Sequence, residues 1–258
     1  EGCLQGALTL RAALKKQGRP GKVIYALPFT SIIDQNHGVF ERTLTAAGVP
    51  VASNVLLKHH HLAEMNFTTA GDETSDYRAD EGGELLVETW SSEVVVTTFV
   101  QVFETLFSGR NAMMKKLGAM AGSILVLDEV QAIPRRLWSL VREALLTLNR
   151  LTGTRVLLMT ATRPLIFEPK EAVELAPDPA EFFRRPIFSR VEVRLHMEDG
   201  LTLERLAEEV VRHSKGRDAL IILNTVRSSL DLYDALKDAC PERDLEYLSA
   251  NVTPRSRR

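Results

Sequence analysis

The sequence predicts an α/β fold in which a parallel sheet is covered by helices on both faces, and three observations predict it. Short runs dense in Val, Ile and Leu alternate with longer stretches of helical period. Those runs are continuously apolar, as strands buried on both faces require. Two of them, ILVLD (124–128) and RVLLMTAT (155–162), end in polar residues, where an open parallel sheet collects its ligands. With 258 residues, 45% of them apolar, the chain can bury one large core or two modest ones.

Each element follows from its own residues. Residues 4–17 have helical period and stop at Gly18 with Pro20 beyond, the pattern of a glycine C-cap followed by proline. KVIYAL (22–27) is a strand. After Pro28, Phe29 and Thr30, Ser31 is placed to cap a helix carrying Ile32, Ile33, Phe40 and Leu44 on its apolar side. VASNVLL (51–57) reads as the next strand. Residues 71–84, with six acids and almost no apolar side chain, read as a solvated, mobile loop. VVVTTF (94–99), a helix through Val102 and Leu106, the strand ILVLD, a helix over 134–151 and the strand RVLLMTAT continue the rhythm. Prolines at 164, 169, 177, 179 and 186 then interrupt it, so a first domain is expected over 1–190 and a second over 191–258. The second carries VEVRL (191–195), a helix over 202–214, ALIILN (219–224), a helix to about 239 and LEYLS (245–249).

Charge and cysteine content exclude several classes. The 32 basic and 34 acidic residues nearly cancel, so nucleic-acid binding would need a local groove and not an overall field. Cys3 and Cys240 stand alone with no CxxC pair, which fits a reducing compartment and offers no zinc site. No stretch approaches a membrane span or a signal peptide, so no membrane partner and a cytoplasmic location are expected.

Asp128 and Glu129 end a strand where chemistry is done. A carboxylate there can hold Mg²⁺ through water while the metal bridges the phosphates of a nucleotide, and Glu129 can orient the attacking water. The alternative is that both acids cap the helix that follows. Thr160, Ala161 and Thr162 come one strand-helix-strand interval after Asp128, so the two strand ends should lie side by side. Their hydroxyls can bond to the acidic motif and relay its state; a polar turn closing the strand is the alternative.

DEVQ (128–131), TAT (160–162), ALPFTSIIDQN (26–36), VVVTTFVQVFETLF (94–107) and ILNTVRSSLDLYDALK (222–237) occur in one order along the chain. Together they resemble the superfamily 2 helicase part of the CRISPR-associated helicase-nuclease of type I interference systems. The resemblance implies a RecA-like parallel sheet flanked by helices, followed by the first part of a second RecA-like domain. It implies ATP and Mg²⁺ as cofactors, and single-stranded DNA and an RNA-guided surveillance complex as partners. Asp128 and Glu129 resemble the Mg²⁺ and water-activating motif, with Gln131 its fourth position, and Thr160, Ala161 and Thr162 the motif coupling hydrolysis to unwinding. Pro28, Phe29, Thr30 and Ser31, with Thr97 and Thr98, resemble the strand-tracking motifs of the first domain, and Asn224 and Thr225 that of the second. Hydroxyls and helix N-termini suit that role, because they hold phosphate oxygens without reading bases.

The departures from the family pattern are as informative. No GxxxxGK[ST] phosphate loop occurs: Gly21-Lys22 is followed by Val23 and has Lys16 in place of the first glycine. No glutamine follows Gln131, and no histidine precedes an aspartate, so the arginine-finger motif and the nuclease His-Asp pair are missing as well. The expectation is therefore an internal segment of a longer motor, truncated at both ends and inactive alone. The alternative is a non-enzymatic RecA-like module, split or decayed, that binds nucleic acid or a partner. His59, His60 and His61 point to alternating faces of an extended chain and read as a surface loop, not a metal site. Arginines 135, 136, 184, 185, 255, 257 and 258 are too scattered to define a patch, and Trp138 reads as core packing.

Overall fold

β-Branched runs pair here because both their faces can be buried. A computed structural model describes residues 2–18, 21–60, 67–68, 76–77, 81–161, 165–175, 181, 184–188, 191–193, 195, 202–214, 217–249 and 251–252. The chain divides into two compact units, Glu1–Leu175 and Ala176–Arg258.

The first unit is built on β1 (Val23–Leu27), β2 (Leu56–His59), β5 (Val94–Thr98), β6 (Ile124–Leu127) and β7 (Arg155–Leu158). They form one five-stranded sheet in the order β2-β5-β1-β6-β7, parallel throughout. A separate antiparallel pair joins β3 (Phe67–Thr68) and β4 (Asp76–Tyr77). The helices are α1 (Gly2–Lys16), α2 (Thr30–Ala46), α3 (Glu81–Glu88), α4 (Phe99–Phe107), α5 (Asn111–Met120) and α6 (Trp138–Thr152). Successive strand residues face opposite ways, so β1 serves two cores at once. Val23, Tyr25 and Leu27 pack with Leu4, Ala7, Ile33 and Phe40 of α1 and α2. Ile24 and Ala26 pack with Val102, Met120, Val141 and Leu145 of α4, α5 and α6. Every residue of β1, β5 and β6 is buried, and each aliphatic side chain so placed contributes about 1.5–3 kcal/mol.

Glycine sets one close approach. A Cβ at Gly21 would lie 2.4 Å from the carbonyl oxygen of Gly122, so the turns entering β1 and β6 can touch only without it. Gly153, at φ 72, ends α6 in the left-handed conformation, its N–H donating to Asn149.

Several elements depart from the sequence expectation. Helix α2 starts at Thr30 with Phe29 as its N-cap, not Ser31, and no side chain caps it. The strand expected over 51–57 forms only from Leu56, because Val55 and Leu56 donate their N–H groups to Ala52 and close a turn there. The acidic loop expected over 71–84 gives way to α3 at Glu81, since Val87, 1% exposed, anchors that helix in the core; residues 71–75 and 78–80 lie outside the described residues. His59 is not in a surface loop. It ends β2 and is 8% exposed, while His60 is half-buried and His61 lies outside the described residues.

In the second unit, α7 (Leu203–His213) and α8 (Val226–Ala239) pack through Ala207, Leu232 and Leu236. Thr202 and Thr225 cap them, each accepting an N–H from the first turn. The strands expected at 191–195, 219–224 and 245–249 are not paired among the described residues. Ile221, Leu223 and Leu245 dock on the two helices, whereas Leu220 and Ile222 stay more than four-fifths exposed. The period of a strand is there. A neighbouring backbone to complete the ladder is not, among the described residues.

Candidate functional site

The parallel register brings the carboxyl ends of four strands to one level. Leu27 is opposite Thr98, Ala26 opposite Leu127, and Leu127 opposite Leu158. Leu27, Thr98, Asp128 and Met159 therefore stand side by side where the sheet ends.

Asp128 is fixed from three directions. Its own N–H donates to Ala26 O at 3.0 Å, which extends the ladder by one rung. Tyr25 Oη donates to Asp128 Oδ2 at 2.6 Å, and Glu129 N–H donates to Asp128 Oδ1 at 2.9 Å. Burial, then the bond to Asp128 and its charge, raise the Tyr25 pKa well above the ordinary phenol value, so the phenol stays a donor. Burial and next the Asp128 charge likewise raise the Cys3 thiol.

Glu129 adopts φ 57, ψ 42, a left-handed conformation that few non-glycine residues take. This bend turns the chain from β6 into the 3-10 turn Val130–Ala132. Val130, fully buried, donates its N–H to Met159 O at 3.1 Å and so ties the turn to the end of β7. Side chains complete the link. Gln131 Nε2 donates to Glu129 Oε2, and Gln131 Oε1 accepts from Thr160 Oγ1 at 2.7 Å. Asp128, Glu129, Gln131 and Thr160 are therefore one connected group. Ala161 is exposed beside it, and Thr162 lies outside the described residues.

The other residues singled out in the sequence occupy different settings. Pro28 is half-buried at the end of β1, Phe29 is 57% exposed, and Thr30 and Ser31 begin α2. Thr97 is fully buried, and its hydroxyl donates to His59 O at 2.8 Å across β5 and β2. Thr98, 5% exposed, caps α4 by accepting Gln101 N–H at 3.2 Å. In the second unit Asn224 and Thr225 are both exposed, and the Thr225 hydroxyl accepts Ser228 N–H at 3.1 Å. Sequence reasoning missed Tyr25. The available signal was a phenol inside an aliphatic strand, two residues from its end.

Behind the site lies a buried polar group. Lys116, 3% exposed, donates to Gln101 Oε1 at 2.5 Å and sits 5.6 Å from the Trp90 ring centroid. The His59 ring is 6.0 Å from Trp90, and its buried Nδ1 has no hydrogen-bond partner among the described residues. Burial, then the Lys116 charge, push the His59 pKa down to about 4.

An open parallel sheet flanked by helices, with an acidic motif at the end of β6 bonded to a threonine at the end of β7, makes the first unit a RecA-like α/β module. The chain is homologous to part of Cas3: it is 35% identical over 176 residues to the CRISPR-associated nuclease/helicase Cas3 of Haloferax volcanii, a match covering 67% of this chain. It spans about a fifth of that relative, 19% of its length. No family profile matches the chain. Among solved structures, T. fusca Cas3 with ADP superposes with a TM-score of 0.45 at 26% identity, over 63% of this chain and 17% of the other. The same protein with AMPPNP gives a TM-score of 0.45 at 25% identity, over 58% and 16%. Among the described residues, no helix is long and apolar enough to cross a membrane.

Proposed function

We propose that the chain is the central segment of an ATP-dependent DNA helicase of CRISPR antiviral defence, coupling hydrolysis to movement on single-stranded DNA. The observation that carries this reading is the run of hydrogen bonds from Glu129 through Gln131 to Thr160, set beside Asp128 at the ends of adjacent parallel strands. Residues 1–190 act in this reading as the first RecA-like domain, and 191–258 as part of a second.

The residues fit a hydrated magnesium ion. Among the described residues no three acidic, histidine or cysteine groups cluster as a protein cage, and Asp128 offers one carboxylate whose orientation Tyr25 holds. That suits a cation that keeps most of its waters and takes its remaining ligands from phosphates. Mg²⁺ held there would neutralise charge on the terminal phosphates of ATP. Glu129 then orients the attacking water. Gln131 cannot shift without breaking its bond to Thr160, so the acidic motif and the segment through Ala161 and Thr162 respond together. Phe29, Thr30, Ser31 and Thr98 from the first unit, and Asn224 and Thr225 from the second, stand at helix N-termini suited to backbone phosphates. Thr97 ties β5 to the end of β2, and Pro28 follows β1 directly. An RNA-guided surveillance complex would supply the strand, and a separate nuclease domain or subunit would cut it.

ATP turnover tests the reading. With no phosphate loop in these 258 residues, the isolated chain is expected to hydrolyse essentially no ATP in a malachite-green assay, with or without single-stranded DNA. Robust stimulated turnover by the chain alone would overturn this expectation. In a protein that also supplies the phosphate loop, Glu129→Gln is expected to slow turnover by about a hundred-fold or more. An unchanged rate there would remove Glu129 from the chemistry.

A further inference from the structure

Beside the acidic motif lies a cavity of about 590 Å³ that the nucleotide chemistry does not use. Its volume falls within the roughly 300–1,000 Å³ typical of small-molecule sites. Its wall is aromatic. Phe29 comes from the start of α2, and Phe99, Phe103 and Phe107 from one face of α4. Phe99 and Phe103 are 5.9 Å apart between ring centroids, and Phe103 and Phe107 are 6.1 Å apart and nearly parallel, at 20°. Phe29 and Phe107 are 57% and 43% exposed, so their ring surfaces remain available.

The rim is made for phosphate. Two helices of eight residues or more start next to lining residues, α2 after its N-cap Phe29 and α5 after its N-cap Arg110, and neither N-cap side chain bonds to its helix. The positive end of each helix dipole therefore lies beside these lining residues. Arg110 is exposed at the mouth, and exposed Arg135 and Arg136 follow the lining residue Pro134. Glu104 is the one acid among the described lining residues, and its charge acts on Lys116 behind α4. An apolar protein segment would be served by the phenylalanines alone. It would gain nothing from the Arg110 guanidinium and two helix N-termini beside the mouth.

We propose that this cavity seats one base of a single-stranded nucleic acid, stacked against Phe29 and the α4 phenylalanines, while the N-terminal ends of α2 and α5 and the Arg110 guanidinium hold the flanking phosphates. The proposal rests on the strand-binding reading above and deepens it: the first unit grips a base as well as the backbone. Stacking on an aromatic face is indifferent to sequence, as a translocating strand requires.

The test compares a labelled oligo(dT) strand with an abasic strand of equal length, by fluorescence anisotropy at low salt with the 258-residue chain. The abasic strand is expected to bind about ten-fold more weakly, and Phe29→Leu to lose a similar factor on oligo(dT) only. Phe29→Trp keeps the stacking face, so it should retain affinity, and its emission should be quenched by oligo(dT) but not by the abasic strand. Phe29 is more than half exposed, so these variants should fold. Equal binding of both strands, unaffected by Phe29→Leu, would overturn the base site while leaving a phosphate-only grip on single-stranded DNA. It would assign the cavity to an apolar protein segment. Failure of either strand to bind would remove the strand-binding reading itself, and this proposal with it.

Discussion

Asp128 depends on a residue that does no chemistry. Tyr25 reaches it from the adjacent strand with a 2.6 Å bond, and removing that donor leaves a half-buried carboxylate with one protein partner fewer. Tyr25→Phe is expected to destabilise the chain by about 1–2 kcal/mol in urea unfolding at pH 7. Its pH dependence has a definite sign. The folded-state pKa of Tyr25 is raised, so the stability tied to its proton is complete below the unfolded phenol pKa of about 10 and falls as pH climbs beyond it. The alkaline limb of the stability curve should be flatter in Tyr25→Phe, and two superposable limbs would refute the assignment. His59 works at the other end of the scale. Its pKa is depressed to about 4, so its contribution is complete above about 6.5 and is lost as pH falls towards 4. His59→Leu removes a buried nitrogen without a partner among the described residues and should reduce the loss of stability across that window. An acid limb as steep as the parent's would count against it. Both residues also show where sequence reasoning stopped. Asp128 and Glu129 were legible because a strand end is a position that a pattern defines. Tyr25 and Lys116 act through neighbours 103 and 15 residues away in the chain, and periodicity carries no information about such partners.

At the scale of elements, β1, β5 and β6 were legible because each is buried on both faces and few alternatives can bury such a run, whereas the short pair β3 and β4 has no such signal. The boundaries that went astray did so for local reasons. Phe29, a poor capping residue, took the N-cap of α2 because β1 ends at Leu27 and the helix must begin at once to pack Ile33 and Phe40. Ala52 captured the N–H groups of Val55 and Leu56 and so shortened β2. Contacts between turns were equally hidden in the sequence, and Gly21 is the clearest instance. Gly21→Ala must push β1 and β6 apart at their entry, and it is expected to cost about 1–3 kcal/mol by urea unfolding. Gly48→Ala is a useful contrast, because its φ of 74 is strained for alanine although nothing crowds its Cβ. It reports backbone strain alone. If Gly21→Ala cost no more than a surface substitution, the close approach of the two turns would be wrong. The segment after Thr160 has its own anchor: Ile166 is buried, and Arg142 Nε donates to Glu171 Oε2 at 2.7 Å, which holds the Glu171 pKa at about 2. That clamp fixes the chain at Glu171, nine positions after Thr162.

For the molecule as a whole, the two units rest on cores of very different depth. The first draws on two clusters that sandwich a five-stranded sheet, from Leu4 and Leu14 to Leu148 and Ile166. Among the described residues the core of the second is Ala207, Leu232 and Leu236 with a partly buried fringe, and Val191, Val193, Leu195, Leu220 and Ile222 keep most of their surface in water. Cooperativity scales with shared burial, so one all-or-none transition is not expected. Trp90 and Trp138 make the difference measurable, because both tryptophans of the chain lie in the first unit. Their emission reports only the sheet, whereas far-UV circular dichroism also sees α7 and α8. In urea, the dichroism signal is expected to begin falling before the fluorescence changes, as the second unit melts ahead of the first. Limited proteolysis under native conditions should then cut within Ala176–Arg258 first and leave the sheet unit intact. Coincident curves from the two probes would show instead that the second unit draws its stability from the first, and that the 258 residues fold as one cooperative body.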